Sequence, residues 1–185
     1  LAPEPDTLLR MYSMTKPVTA LTALLLEDQG LLDLKAPVET LIPELANWRT
    51  LKHPAADLQD CTPLASGPTL LQLLTHTSGI SYGEAQGSML DQVLAQKMAH
   101  NYSLGGLLET LSELPLVFPP GTAWRYGYGL DVLGVAMMRA TGKSLGKLFD
   151  ELVFKPMGMT DTGFSVSGSE TNRLATLYQS EADST

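Results

Sequence analysis

The feature that most constrains the fold is that this sequence shows helical periodicity in several places and strand signals in very few. The stronger helical patterns cover residues 13–29, 69–75, 130–141 and 144–155, and weaker ones cover 89–100 and 104–114. Segments rich in Pro, Gly and Ser separate them, notably 54–68, 79–87 and 115–121. Residues 124–126 and 163–167 are short strand candidates at best, and no hairpin turn joins two convincing strands. The chain is therefore predicted to be mostly helix and ordered loop.

The first helix has the clearest start and stop signals. Pro17 lies in the first turns, where proline is tolerated, and Gly30 suits the residue after the helix. Val18, Leu21 and Leu25 recur at helical spacing and predict the buried stripe.

Composition and charge exclude several classes of protein. The 185 residues include 12 basic and 20 acidic side chains, for a net charge of −8, which disfavours nucleic acid and anionic membrane surfaces as partners. No apolar run approaches the ~20 residues of a membrane span. Cys61 is the single cysteine and the three histidines lack metal-ligand spacing, so no intrachain disulfide and no metal site are expected.

The compartment is left open by the sequence. The first residues lack the basic and apolar regions of a signal peptide, which favours the cytoplasm. The chain begins with Leu1 and not with methionine, so it is interpreted as a segment of a longer protein.

Ser13 and Lys16 form the motif with the most chemical content. Residues three apart share a helix face, which places the Lys16 ammonium near the Ser13 hydroxyl. A serine at a helix N-terminus also lies beside free N–H groups that can stabilise an oxyanion. A desolvated lysine can accept the serine's proton, so this pair is a candidate nucleophile and base. The alternative is a capping serine followed by a solvated lysine.

Two other serine motifs favour structural roles. Ser144 and Lys147 repeat the spacing, but Ser144 opens an amphipathic helix and is interpreted as its N-cap. Ser81 lies in a formal G-x-S-x-G, yet a helix and not a strand precedes it, so it is interpreted as a loop serine.

A turn and an aromatic loop precede the third strong helix. A tyrosine in this loop, which carries Tyr126 and Tyr128, could contact a Ser/Lys pair and relay a proton to a leaving alcohol. Trp124 and Tyr128 are candidates to line an acyl pocket, and Trp124 could equally pack under the loop. His76 is expected to anchor its own loop by hydrogen bonds.

A series of segments that begins with the Ser13 motif continues in a fixed order along the chain. The segments are 12–20, 27–38, 42–45, 69–80 with its H-T-S-G, 120–126, 130–134, 140–142 and 154–162. Together they resemble the serine β-lactamase and penicillin-recognising superfamily, in its class C-like branch. The run from Tyr126 to Gly134 is most similar to family VIII carboxylesterases and statin-pathway-type transesterases.

The resemblance implies an α+β fold of the β-lactamase and DD-peptidase type, with a helical subdomain and an antiparallel sheet flanked by helices. Residues 1–185 are then a partial serine hydrolase domain, with the nucleophile helix at about 13–29 and the helical subdomain at about 30–160. The sheet segments at both ends, and the family's third motif, are expected to lie outside this sequence.

The resemblance also implies the chemistry. Ser13 is the acylated nucleophile, Lys16 its general base and Tyr126 the motif tyrosine, with no cofactor. Tyr128 stands where β-lactamases and peptidases usually carry Asn, which favours a carboxylesterase acting on small short-chain or aryl esters. The alternatives are a β-lactamase or D-Ala-D-Ala carboxypeptidase, an acyltransferase, and a non-catalytic binding or sensor module; the oligomeric state is left open.

Overall fold

Six helices and one small antiparallel sheet make up the part of the chain that the computed structural model describes, residues 4–83 and 88–178. The helices are α1 (Thr15–Asp28), α2 (Leu70–Leu74), α3 (Met89–His100), α4 (Leu104–Glu113), α5 (Gly129–Thr141) and α6 (Leu145–Phe149). The strands are β1 (Arg49–Leu51) and β2 (Cys61–Pro63). A π-helical turn, Asp150–Phe154, continues α6, and 3₁₀ turns cover Tyr12–Met14, Val38–Thr40, Pro43–Leu45 and Gly168–Arg173. The mostly helical prediction is confirmed, including both weaker helices.

Side-chain caps explain where several helices begin. Thr69 and Ser88 each form a capping box, in which the side chain accepts from the third backbone N–H of the helix. Ser144 accepts from the backbone N–H of Lys147 in the same way. Gly142 ends α5 in the left-handed conformation, with φ +67°. These starts and stops follow from local chemistry that is visible in the sequence.

Helix α5 is the centre of the core. It packs against α1, α2, α4 and α6, and eight of its residues are buried, from Gly129 and Leu130 through Val132 to Met137. A helix that is apolar on most of its surface is stable only when neighbours cover it on several sides. This central position fixes the segment just before α5, which carries Tyr126, against the rest of the molecule.

The buried face of α1 differs from the predicted one. Its buried residues are Thr19, Thr22, Ala23 and Leu26, whereas Leu21 is 40% exposed. Both threonine hydroxyls donate to backbone carbonyls one turn earlier, which satisfies them inside the core. Val18 and Leu25 of the predicted stripe are partly buried against the core, so apolar spacing indicated the direction of this face but missed the small side chains and self-satisfied hydroxyls that form its fully buried part.

The sheet lies where the sequence predicts loop. Strand β1 pairs antiparallel with β2, from the Arg49–Pro63 pair to the Leu51–Cys61 pair. Leu116 lies alongside β1, since its N–H donates to the Arg49 carbonyl and its carbonyl accepts from the Leu51 N–H. Each strand is only three residues long and their connection is long, so no two-residue turn signal marks the hairpin. Residues 124–126 and 163–167, the short strand candidates, are not strands.

No helix within residues 4–83 and 88–178 combines the length and apolarity that crossing a bilayer requires.

Candidate active site

The site begins at the N-terminus of α1. A 3₁₀ turn over Tyr12–Met14 leads into the helix, and Tyr12 has a left-handed φ of +44°. Ser13 is exposed in this turn, and Lys16 is half-buried in the first turn of α1. The predicted helix start at Ser13 is therefore a 3₁₀ turn, which still presents the serine at the helix end.

Tyr126 approaches Ser13 from the loop before α5. The Ser13 Oγ and Tyr126 Oη atoms are 2.8 Å apart and share a hydrogen bond, although 113 residues separate them in sequence. The Lys16 Nζ atom lies 4.9 Å from the centroid of the Tyr126 ring and 5.7 Å from that of Tyr82. The structure thus brings Ser13, Lys16 and Tyr126 together at one point.

The surroundings of Tyr126 favour its phenolate. Burial alone raises the pKa of the Tyr126 hydroxyl, but hydrogen bonds from Lys16 and Ser13 and the charge of Lys16 outweigh it. The net effect holds this pKa below its ordinary value. A lower pKa increases the fraction of the tyrosine that is deprotonated, and this phenolate can accept a proton from a neighbouring hydroxyl.

His76 lies directly against Tyr126. The two rings are stacked, with centroids 4.8 Å apart and planes 29° from parallel. The backbone of His76 is left-handed, with φ +58°, and its carbonyl accepts from the Arg125 N–H at 2.8 Å. The predicted loop-anchoring hydrogen bonds are present, and the contact with Tyr126 is an addition that spacing alone did not reveal.

A buried ion pair fixes the residue before Tyr126. The Arg125 Nη2 atom lies 2.6 Å from the Asp91 carboxylate, and this carboxylate also accepts from the hydroxyls of Ser81 and Ser88. Ser81 is buried, and its Oγ accepts from Arg125 Nε at 3.1 Å. The G-x-S-x-G serine therefore has a structural role, as predicted.

The two predicted pocket residues occupy different environments. Trp124 is 66% exposed and meets His76 edge to face at 6.0 Å, so it does not pack under the loop. Tyr128 is buried, and its ring lies 4.8 Å from that of Tyr82. Tyr82 also contacts Tyr126 edge to face, so an aromatic cluster surrounds the Lys16 ammonium.

Asp131, in the first turn of α5, acts on the site through its charge. Burial raises the pKa of this carboxyl, while the charge of Lys16 lowers it. Its charge in turn opposes ionisation of Tyr126. The available sequence signal was a carboxylate at a predicted helix start five residues after Tyr126, but charge at a helix start is usually explained by capping.

The second S-x-x-K is a helix cap. The Ser144 Oγ accepts from the Lys147 backbone N–H, and the Lys147 ammonium lies 3.8 Å from Glu151. The same S-x-x-K spacing therefore caps a helix at Ser144, whereas at Ser13 the serine is hydrogen-bonded to a tyrosine.

Within the described ranges, no group of three or more His, Cys, Asp or Glu side chains is arranged to hold a metal ion.

A helix-end serine, a lysine one turn later and a tyrosine from a second segment are the groups that nucleophilic catalysis by serine requires. The Beta-lactamase family model matches residues 2–185. The chain belongs to the beta-lactamase family, and its fold is the α+β β-lactamase-like fold that the sequence predicted.

Characterised relatives include esterases. The chain is 40% identical over 177 residues to Esterase EstB of Burkholderia gladioli, covering 94% of this chain and 42% of that protein. It is 36% identical over 167 residues to Lovastatin esterase of Penicillium rubens, covering 86% and 40%.

A solved structure of a hydrolase also superposes on this chain. EstCE1, described as a hydrolase with promiscuous acyltransferase activity, superposes with a TM-score of 0.74 at 26% identity, covering 94% of this chain and 43% of that one. The chain thus spans about two fifths of the length of the proteins it matches.

Proposed function

We propose that this chain carries the nucleophile and the proton-transfer residues of a serine carboxylesterase, of the family VIII type, acting on short-chain or aryl esters. The observation that supports this most directly is the 2.8 Å hydrogen bond between Ser13 and Tyr126 beside the Lys16 ammonium. The esterase relatives agree with it.

Acylation begins when the Ser13 Oγ attacks the ester carbonyl. The hydrogen bond of Ser13 is to Tyr126, so Tyr126, as the phenolate, takes up the serine proton. Lys16, which the sequence predicts as the general base, acts here as the ammonium that stabilises this phenolate. The oxyanion forms beside the N–H groups of the first turn of α1. The C–O bond of the ester then breaks, and the alcohol leaves with the proton from Tyr126.

Deacylation reverses these steps with a new nucleophile. Water attacks the Ser13 ester and gives the free acid, while an alcohol in its place gives a new ester. The acyltransferase activity described for EstCE1 favours alcohol acceptors as a second candidate function. A β-lactam or peptide substrate is less favoured, because Tyr128 replaces the usual Asn and its ring is buried against Tyr82.

Ser13→Ala tests the nucleophile in the full-length protein. We expect the wild type to gain one fluorophosphonate adduct by intact mass, mapped to Ser13, and to hydrolyse p-nitrophenyl butyrate much faster than nitrocefin. The Ser13→Ala variant is expected to lose the adduct and at least about 1,000-fold in ester turnover, since the proposed acyl-enzyme forms on the Ser13 Oγ.

Ser144→Ala is the matched control, because it removes the other S-x-x-K serine. It is expected to keep the adduct and to lose about 1 kcal/mol of stability as a cap. Fast nitrocefin turnover would instead place the protein with the β-lactamases. Ester turnover that survives Ser13→Ala would refute the proposal, and a wild type without an adduct would favour a binding module.

A further inference from the structure

His76 contacts the segment around Tyr126 through three separate parts of one residue. Its backbone carbonyl accepts from the Arg125 N–H at 2.8 Å, and its Nδ1 atom accepts from the Gly127 N–H at 3.4 Å. Its ring face stacks on the Tyr126 ring, with centroids 4.8 Å apart. The peptide N–H groups on both sides of Tyr126 and the ring between them are therefore held by His76.

The backbone of His76 adopts a conformation that is uncommon for a residue other than glycine. Its φ of +58° lies in the left-handed region, which histidine enters more readily than most residues but still at a cost. The turn around it is held by hydrogen bonds from Thr75 N to Leu71 O and from Thr77 N to Gln72 O. Strained conformations persist where the surrounding structure fixes them, and they are concentrated at functional sites.

The ring of His76 must be neutral to make this contact. An imidazole accepts a hydrogen bond through Nδ1 only when that nitrogen carries no proton. Burial lowers the pKa of His76, and the charge of Lys16 lowers it further. Lys16 of α1 and Tyr126 are the titratable groups that face the ring, so burial first, and then the ammonium that also acts on Tyr126, keep His76 in its accepting form.

We infer that His76 is a positioning residue, which holds the Tyr126 hydroxyl at hydrogen-bonding distance from Ser13 and beside Lys16. This inference rests on the proposed function for its catalytic consequence, but the placement of Tyr126 can be measured without turnover. Displacing a catalytic group by about 1 Å is enough to lower a rate by about 100-fold.

Two variants separate the contacts of His76. His76→Phe keeps an aromatic ring but removes the acceptor for the Gly127 N–H. His76→Asn removes the stacking ring but keeps an amide oxygen and tolerates the left-handed backbone. His100→Phe is the matched control, because the exposed His100 ring also contacts a backbone carbonyl, that of Gln96 at 2.7 Å, but on α3 and away from Tyr126.

The first readout is the steady-state turnover of folded variants, whose folding is checked by circular dichroism. We expect His76→Phe to lower kcat for p-nitrophenyl butyrate by about tenfold or more with KM within about twofold. His76→Asn is expected to recover part of this loss, and His100→Phe to match the wild type. A folded His76→Phe variant with wild-type kcat would overturn the inference.

The second readout does not depend on catalysis. Isotope-edited NMR of tyrosines labelled at Cζ reports the pKa of Tyr126, whose signal is assigned by its loss in Tyr126→Phe. Because contact with Lys16 lowers this pKa, a displaced Tyr126 in His76→Phe should titrate at higher pH than in the wild type. An unchanged Tyr126 titration would contradict positioning by His76, whereas a shifted titration in a protein that no ester acylates would refute the proposed function alone.

Discussion

Lys16 controls the protonation of Tyr126 by contact and by charge. Its ammonium lies 4.9 Å from the tyrosine ring, and both its hydrogen bond and its charge lower the pKa of the hydroxyl. The aromatic rings of Tyr82 and Tyr126 accommodate the cation, with the Lys16 Nζ atom 5.7 Å and 4.9 Å from their centroids. A lysine in this position therefore makes the tyrosine phenolate easier to form than it is in an isolated tyrosine.

Lys16→Met should therefore move the pH profile of the reaction. Removing the ammonium leaves burial as the main influence on the Tyr126 hydroxyl, so its pKa rises. The ascending limb of kcat/KM against pH for p-nitrophenyl butyrate is expected to shift to higher pH, with activity at pH 7 at least about 100-fold lower. Lys147→Met, at the second S-x-x-K, is the control that should leave the limb in place.

An ascending limb that stays at the wild-type pH in folded Lys16→Met would show that Tyr126 is not the group whose ionisation the profile reports.

At the scale of elements, the ion pair between Asp91 and Arg125 joins α3, the loop at Ser81 and the segment before Tyr126. The side chains of Asp91 and Arg125 are 3% and 16% exposed, and hydroxyls of Ser81 and Ser88 complete the carboxylate's hydrogen bonds. A buried carboxylate that is this well satisfied holds its partners strongly, and its unpaired form is costly.

Asp91→Asn is expected to change how stability depends on pH. Burial raises the pKa of Asp91, but hydrogen bonds from Ser81, Ser88 and Arg125 and the charge of Arg125 lower it below its ordinary value. The stabilisation by this carboxylate is therefore complete above its unfolded pKa of about 4 and is lost as the pH falls through the lower folded value. Urea unfolding should show about 2–3 kcal/mol less stability for Asp91→Asn at pH 7, and a smaller difference at low pH.

A difference in unfolding free energy that stays constant down to low pH would contradict this assignment. Glu113→Gln is a suitable control, because Glu113 makes an exposed ion pair with Lys97 of α3 and should change stability by less than about 1 kcal/mol.

Elements with local signals could be predicted from the sequence, and those set by distant contacts could not. Thr69, Ser144 and Gly142 mark helix ends through side-chain caps or a left-handed turn, so their helices were predicted closely. Strand β1 is held by Leu116 and by β2, neither of which leaves a local pattern at Arg49–Leu51. The buried face of α1 was predicted only in part, because Val18 and Leu25 pack against the core but packing selects small residues such as Ala23 over an exposed Leu21.

The same distinction applies to the site. Ser13 and Lys16 are one helical turn apart, so a sequence motif can predict their proximity. Tyr126 was predicted through the resemblance, and its 2.8 Å contact with Ser13 depends on a fold that brings together residues 113 apart. His76 and Asp131 act on this cluster through space, and their sequence signals, a loop motif and a carboxylate at a helix start, do not distinguish this action from a local structural role.

At the scale of the whole molecule, α5 connects stability to the site. Leu133 on this helix is fully buried, whereas Leu21 on α1 is 40% exposed. The packing of α1 and α2 against α5 fixes how the Ser13 end of α1 meets the Tyr126 segment.

Leu133→Ala should lower the free energy of unfolding by about 2–5 kcal/mol, because it leaves a cavity where several helices meet. Leu21→Ala makes the same chemical change at an exposed position and should cost less than about 1 kcal/mol. Urea denaturation of both variants measures the difference. Equal losses would mean that Leu21 is covered in the protein in solution.

Tyr12 and His76 are the only non-glycine residues with positive φ in the stretches 4–83 and 88–178, and they lie on either side of the contact between Ser13 and Tyr126. Each such conformation costs on the order of 1–3 kcal/mol. Substitutions that relax the backbone at Tyr12 or His76 would therefore stabilise the protein against heat. By the proposed function, the same substitutions would lower turnover. Engineering this protein for endurance would work best away from both residues and away from α6, because α6 and its π-helical turn pack against α1.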